Sequence, residues 1–137
     1  MFRSIKLNKK KVILVSVSLV IIIGLIITFS ILMKYKNYQD KVDSMIFSDI
    51  DLSTIADGVY VGESDTGVIY VKTEVTVKNG KLLSINLIEH RHERGEAAEI
   101  IVDHMIQEQR TDVDAITSAT NSSKVIRKAV ENALTGK

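Results

Sequence analysis

The chain has 137 residues, carries 18 Lys and Arg against 17 Asp and Glu, and contains no cysteine. Without cysteine it cannot form disulfides, hold an iron–sulfur cluster through thiolates or be processed as a lipoprotein. A charge balance this close to neutral gives no support for a nucleic-acid partner, which needs a basic face.

One apolar run dominates the first part of the chain. Residues 12–33 contain no charged side chain and consist mostly of Val, Ile and Leu. About 20 such residues match the hydrocarbon thickness of a bilayer, so we predict a cytoplasmic basic tail at 1–11 and a transmembrane helix at 12–33. A signal peptide cleaved near Ser30 is the alternative. Its apolar region usually spans only about 7–15 residues, so the longer run favours a retained anchor.

The charges on either side of this run indicate its orientation. Five basic residues precede it, and three follow it at Lys34, Lys36 and Lys41. This bias places the N-terminus in the cytoplasm and the rest of the chain outside the cell membrane, as a single-pass protein. The basic tail would meet anionic lipid headgroups. Removing those five residues leaves 13 Lys and Arg against 17 Asp and Glu, so the outer part has a formal charge of −4.

A small domain is predicted after the apolar run. Residues 34–53 are interpreted as a polar linker or stalk with some helical character, and the domain occupies residues 54–137. Its first strand is predicted at 58–62, and turn residues at 63–67 indicate a loop.

A β-hairpin follows that loop. Alternating apolar and polar residues at 68–78 indicate a second strand. Asn79-Gly80 then predicts a two-residue turn, because a type I′ turn needs positive φ at both positions, and a third strand returns at 81–90. The residues expected to face the core are Ile69, Val71, Val75, Val77, Leu83, Ile85 and Leu87.

Helical spacing of apolar residues follows the strands. One helix is predicted at 96–109, where the buried residues are Ala98, Ile101, Val102 and Met105. The last helix is predicted at 122–134, where they are Val125, Ile126, Ala129, Val130, Ala133 and Leu134. Its N-cap is expected at Asn121, Ser122 or Ser123. Strands followed by helices indicate an α+β fold, here one transmembrane helix and then a small antiparallel sheet packed by helices.

The three histidines do not predict a metal site. His90 and His92 lie near Glu89 and Glu93, and His104 lies on a predicted helix. No cysteine completes a usual zinc set, so we interpret these residues as solvated polar groups at the end of a strand. A weak metal site that includes the two carboxylates is the alternative. No nucleophile elbow or other catalytic motif accompanies the Ser, His and Asp residues of the chain either.

The most informative stretch is 114–123, Asp-Ala-Ile-Thr-Ser-Ala-Thr-Asn-Ser-Ser, in which five of ten residues carry a hydroxyl. It lies where the last helix begins. Unpaired backbone N–H groups and the helix dipole favour an anion at such a position. An ordinary helix N-cap is the simpler interpretation of this pattern by itself.

The same stretch resembles the flavinylation motif of the FMN-binding domain family, which reads Asp, two variable residues, Ser or Thr, and then Gly-Ala-Thr. Asp114, Thr117, Ala119 and Thr120 match this motif, and Ser118 replaces the glycine. The family includes the membrane-anchored FMN-carrying subunits of Rnf-type and sodium-pumping quinone reductase complexes.

Further elements of the family occur in the expected order. Asp-Gly-Val-Tyr at 57–60 resembles the opening of the domain, and Asn-Gly-Lys-Leu at 79–82 resembles its hairpin. Downstream, Ser-Ser-Lys at 122–124 and the helical residues 129–134 continue the likeness. Together these elements cover residues 57–134.

The resemblance implies FMN as the cofactor, attached through its phosphate to the hydroxyl of Thr120 by a flavin transferase. The other binding positions that it implies surround this threonine: Asp114, Thr117, Ser118, Ala119, Ser122 and Ser123. The rings of Tyr60 and Tyr70 can pack against the flavin, with core or rim positions as the alternative. The place of the loop 92–95 in the family order puts it at the edge of the cofactor.

The function that this resemblance implies is electron relay outside the membrane. Such a protein would accept electrons from a membrane quinol or an oxidoreductase complex and pass them to an external acceptor. The alternative of a different class is a non-redox anchored interaction module that keeps the fold without flavin. A flavin enzyme with its own small substrate is disfavoured, because no second site is recognisable in the sequence.

Overall fold

The computed structural model describes residues 8–137. These residues form two units, one that ends at Lys36 and one that comprises Asn37–Lys137. The first seven residues of the predicted basic tail lie outside the described part of the chain.

The first unit consists of most of one long helix, whose last seven residues belong to the second unit. This helix, α1, spans Lys9–Asp43 and contains the whole apolar run. Among the described residues it is the one helix long and apolar enough to cross a membrane, which suits both a membrane anchor and a signal sequence near an N-terminus. Its hydroxyl groups bond back to helical carbonyls three or four residues earlier, so none opens the helix: Ser16, Ser18, Thr28 and Ser30 each donate at 2.9 Å.

The second unit is an α+β domain, as the sequence predicted. Three strands form an antiparallel sheet in the order β1-β2-β3. The strands are β1 Gly58–Asp65, β2 Tyr70–Lys78 and β3 Lys81–Arg91. Helix α2 packs on β3, and helix α3 packs on β1 and β2. These helices are α2 Ile101–Glu108 and α3 Thr120–Thr135.

Strand β1 is longer than the sequence predicted. The predicted loop at 63–67 is wrong in its first half, because Glu63, Ser64 and Asp65 continue the pairing with β2. The turn that follows is short, and one side chain stabilises it. The Thr66 hydroxyl donates to the Ile69 carbonyl at 2.9 Å and accepts from the Ile69 N–H at 3.0 Å.

Two β-bulges in β3 change which of its side chains face the core. The pairing with β2 skips Leu83 and Ile88, one at each register shift. Leu82 is therefore buried and Leu83 is 55% exposed, so the expected inward position of Leu83 is wrong. An extra residue reverses the alternation of side chains beyond it. The same effect turns His90 towards the helix-covered face, opposite Val71.

The first of the two predicted helices is divided. A 3₁₀-helix at Glu96–Ile100 leads directly into α2. Helix α2 ends at Gln109, which adopts a left-handed conformation with φ 51°. The Gln109 side chain accepts from the Leu82 N–H and donates to the Leu82 carbonyl, both at 2.9 Å. These two bonds fix the end of α2 against the start of β3.

Helix α3 approaches β1 closely enough to need a glycine. A side-chain carbon at Gly62 would collide with the backbone of α3 at Ala129 and Ala133. The buried face of the helix comprises Val125, Ile126, Ala129, Val130, Ala133 and Leu134, as the periodicity predicted. The helix therefore lies flat on the sheet.

The segment that precedes the sheet packs on α3. Val42, in the last turn of α1, is only 1% exposed. Beyond it, the Ser48 N–H donates to Glu131 Oε1 at 3.0 Å, and Lys128 Nζ donates to the Ile46 carbonyl at 2.7 Å. The part of the expected linker that follows Lys36 thus belongs to the same compact unit as the sheet.

The bulge between Leu82 and Leu83 leads to a direct test of the register of β3. Leu82→Ala should lower the free energy of unfolding by about 2–5 kcal/mol, because it leaves a cavity in the core. Leu83→Ala should change it by about 0.5 kcal/mol or less, since that side chain is exposed. Urea unfolding of the full chain in detergent, followed by circular dichroism, measures both. A larger loss for Leu83→Ala than for Leu82→Ala would show that the register is wrong.

Candidate functional site

A cleft of about 380 Å³ opens beside the start of α3. Four segments meet there: the end of α1, the turn between β1 and β2, the loop after β3 and the first turn of α3. Its lining residues are Tyr38, Val68, Ile69, Glu93, Arg94, Gly95, Ser118, Ala119, Thr120, Asn121 and Ser122. A concave site of this size falls within the range of about 300–1,000 Å³ that is usual for small-molecule sites.

The start of α3 has no side-chain cap. The prediction that Asn121, Ser122 or Ser123 caps it is wrong, because the helix begins at Thr120 and its N-cap is Ala119, which makes no side-chain hydrogen bond. The first helical backbone bond runs from the Ser123 N–H to the Ala119 carbonyl at 2.9 Å. The N–H groups before it have no partner within the helix, and together with the helix dipole they favour an anion in the cleft.

The loop before α3 is held from behind by a buried serine. The Ile116 N–H donates to Ser123 Oγ at 3.0 Å, and the Ala119 N–H donates to the Ile116 carbonyl at 3.0 Å. These bonds explain why Ser123 does not cap the helix, since this residue is 1% exposed and its hydroxyl faces the loop. Between them, Ser118 adopts a left-handed conformation with φ 69°. This is the position at which the flavinylation motif has glycine.

The loop after β3 forms the opposite wall. Glu93, Arg94 and Gly95 line the cleft, whereas His92 does not. That the loop 92–95 lies at the edge of a cofactor stays a prediction. A side-chain carbon at Gly95 would collide with Ser122 Oγ, and it would lie 2.7 Å from Ser122 Cβ. Glycine therefore allows this loop to touch the first turn of α3. Arg94 is the one basic side chain among the described residues that line the cleft.

A third wall comes from a residue that sequence reasoning missed. Tyr38 lies in the last turns of α1, and its hydroxyl accepts a hydrogen bond from Asn121 Nδ2 at 2.8 Å. Asn121 Nδ2 also donates to Gln39 Oε1 at 3.2 Å. These contacts span more than 80 residues of sequence, so no local pattern marks Tyr38. Val68 and Ile69, in the turn before β2, were expected only as strand residues.

The residues that the sequence predicted as cofactor-binding positions do not all line the cleft. Ser118, Ala119, Thr120 and Ser122 line it, whereas Asp114 and Thr117 are exposed in the preceding loop and do not. Ser123 is buried behind the loop. The roles of all these residues towards a cofactor stay predictions.

The two tyrosines considered as ring partners do not line the cleft. The Tyr60 hydroxyl donates to the Ala56 carbonyl at 2.6 Å. The Tyr70 hydroxyl donates to Glu63 Oε2 at 2.9 Å, and this hydrogen bond raises the pKa of Tyr70 above its ordinary value. Arg91 lies 4.7 Å from the centre of the Tyr70 ring. Both tyrosines therefore have structural partners on β1 or near it.

The left-handed conformation of Ser118 predicts the effect of restoring the glycine of the motif. Ser118→Gly should raise the free energy of unfolding by about 0.5–1 kcal/mol, because it relieves a conformation that costs a side chain about 1–2 kcal/mol. Ala119→Gly is the matched control, and it should lower stability, since Ala119 has φ −135° and gains nothing from glycine. Urea unfolding measures both variants. A loss of stability in Ser118→Gly would show that the serine side chain contributes more than its backbone costs.

Comparison with known proteins identifies a family for the region that contains most of the cleft. Residues 66–135 match the FMN-binding domain. The matched region includes every lining residue of the cleft except Tyr38. No protein in the curated set matches the chain. Because the match covers half of the 137 residues, the chain belongs to the FMN-binding domain family.

Proposed function

We propose that this protein is a membrane-anchored, extracytoplasmic flavoprotein that carries FMN in the cleft and relays electrons. The observation that carries the proposal is the position of Thr120. In a chain of the FMN-binding domain family, this residue is exposed, lines the cleft and is the first residue of a helix without a side-chain cap.

The residues at the start of α3 fit a phosphate group. The backbone N–H groups of the first helical turn have no helical partner and attract negative charge. Two hydroxyl groups lie beside them, on Ser118 and Ser122. Arg94 adds a positive charge from the opposite wall. These groups would hold the phosphate end of FMN without any change in the fold.

The apolar part of the cleft lining fits an aromatic ring system. Tyr38, Val68 and Ile69 provide an aromatic ring and two branched apolar side chains. The Asn121 side chain fixes the Tyr38 hydroxyl, so this ring is held in place by a hydrogen bond. Pockets that bind cofactors combine such apolar walls with a few positioned polar groups. When bound, FMN supplies the redox chemistry, while the protein supplies binding, orientation and electrostatics.

The surroundings of Thr120 support covalent attachment through its hydroxyl. In forming the phosphoester, Thr120 Oγ1 bonds to phosphorus, the bond from phosphorus to an oxygen leaving group of the flavin donor breaks, and that oxygen takes up the hydroxyl proton. The protein therefore gains the mass of FMN less one water. A threonine hydroxyl is a weak nucleophile, which is why a flavin transferase is part of the proposal. The residues before it are small, Ser118 and Ala119, and the side chain of Thr120 is exposed. A transferase can therefore reach it.

The membrane location rests on the sequence of α1. The apolar run has a length suited to a bilayer, and the basic residues before it favour a cytoplasmic N-terminus. A domain carried by such an anchor favours an electron donor in or at the membrane, either a quinol or an oxidoreductase complex.

The acceptor assignment is tested by removing one hydroxyl. Thr120→Val keeps the branched shape of the side chain, and it should abolish covalent flavin in a chain co-expressed with a flavin transferase. Thr135→Val is the matched control, because Thr135 is also exposed but lies at the far end of α3, outside the motif and the cleft. It should keep full flavin. Intact mass, followed by mass analysis of the peptide that contains Thr120, measures the attachment.

The outcomes of that experiment separate the proposals. Full flavin on Thr120→Val would overturn the acceptor assignment and leave the family assignment intact. A wild-type chain that takes up no flavin in any form, with an active transferase present, would overturn the electron-relay function. The non-redox interaction module would then be the better explanation.

The absence of cysteine allows a clean test of topology. Thr135→Cys places a thiol on an exposed residue at the end of α3. In intact cells it should react with a membrane-impermeant maleimide. Ser4→Cys, in the basic tail, is the matched control and should react only after lysis, because positive residues stay in the cytoplasm. The reverse pattern of labelling would overturn the extracytoplasmic location of the domain.

A further inference from the structure

Two histidines and a glutamate form a cluster beside the FMN cleft. His90 lies near the end of β3, His92 lies just after this strand, and Glu99 lies on the 3₁₀-helix that follows. His90 Nδ1 is 2.9 Å from Glu99 Oε1, and the two imidazole rings have centres 4.3 Å apart. Each of the three residues offers a ligand atom within 4.8 Å of the other two.

The surroundings of His90 differ from those expected of a solvated residue. The expectation of a solvated group at a strand end is wrong here, because the bulges of β3 turn His90 inward and its side chain is 3% exposed. One ring nitrogen has Glu99 as its partner. The other, Nε2, is buried and has no hydrogen-bond partner among the described residues. Buried polar atoms are usually paired, so the bonding of this imidazole is incomplete.

The other two members of the cluster are more accessible. Glu99 is 47% exposed, which gives an ion a route to its carboxylate. His92 is partly buried, and its Nδ1 accepts a hydrogen bond from the Gly95 N–H at 2.9 Å. A buried imidazole, a partly buried imidazole and an accessible carboxylate together resemble the donor set of three-ligand metal centres.

We propose that His90, His92 and Glu99 bind a divalent transition-metal ion of the Zn²⁺ type. Two imidazole nitrogens and one carboxylate suit Zn²⁺, Ni²⁺ or Cu²⁺, whereas Mg²⁺ and Ca²⁺ prefer oxygen ligands alone. Water completes the coordination, as in other sites with three protein ligands. The proposal concerns a second site and does not rest on the proposed redox function.

Binding requires only small movements of accessible side chains. At Zn–N distances of about 2.0–2.1 Å, neighbouring ligand atoms lie about 3.3 Å apart. The present separations of up to 4.8 Å close by rotation of Glu99 and His92, while His90 stays in place. A neutral imidazole that binds the ion through either nitrogen can no longer accept at Nδ1, so metal binding breaks the hydrogen bond from the Gly95 N–H to His92. The ion therefore acts on the loop that forms one wall of the cleft.

The test uses the full chain, expressed without a flavin transferase and purified in detergent without a polyhistidine tag. A chelator first removes any bound metal. Isothermal titration with ZnCl₂ should show one Zn²⁺ per chain. Glu99→Gln and His92→Asn should each weaken Zn²⁺ binding at least about tenfold, since loss of even an outer-shell partner costs about 10–100-fold. MgCl₂ and CaCl₂ in excess should not displace the ion.

A matched control comes from the third histidine of the chain. His104 lies on α2, outside the cluster, so His104→Asn should bind Zn²⁺ as tightly as the wild type. Circular dichroism of the variants without metal confirms that the fold is retained, and His90 is left unchanged because it is buried. No stoichiometric binding in the wild type would overturn the proposal. Equal weakening by His104→Asn, or wild-type affinity in both cluster variants, would do the same.

Discussion

The close packing of α3 on β1 is the constraint on which the rest of this domain depends. A glycine at position 62 lets the helix backbone touch the strand. Four small or branched residues of α3, Val125, Ile126, Ala129 and Val130, are then completely buried. Because the helix is fixed along the sheet, its uncapped first turn is fixed beside the turn between β1 and β2. The anion-favouring end of the helix and the apolar residues of this turn, Val68 and Ile69, therefore face the same cleft.

Helix α3 also packs against the segment that leads into the domain. Contacts from Asn121 to Tyr38, from Lys128 to Ile46 and from Glu131 to Ser48 lie along its outer side. Arg127 lies over the Phe47 ring at 4.2 Å from its centre. A small domain has little core to stabilise it, so this segment adds buried surface. The same contacts bring Tyr38 to the wall of the cleft, so stability and the shape of the site have a common origin.

Local patterns predicted the fold where the chain follows regular periodicity. The hairpin at Asn79-Gly80 and the buried face of α3 needed only turn chemistry and helical spacing. The predicted inward position of Leu83 was wrong because the bulge arises from pairing with β2. Such pairing cannot be seen in the alternation of side chains along one strand. Residues of the motif around Thr120 were found because they are contiguous. Tyr38 and the pairing of His90 with Glu99 were not found from the sequence, because only tertiary contacts bring these residues together.

In the two loops that line the cleft, the side chains that hold the backbone in place differ from the side chain that is exposed. Ser123, buried behind the loop, holds its backbone through the Ile116 N–H, and His92 holds the facing loop through the Gly95 N–H. Thr120 is exposed, and its hydroxyl takes no part in these bonds. A phosphoester on that hydroxyl would therefore break no bond that holds the loop. His92 differs from Ser123, because it serves both the loop and the proposed metal site, so an ion there would alter the wall that faces Thr120.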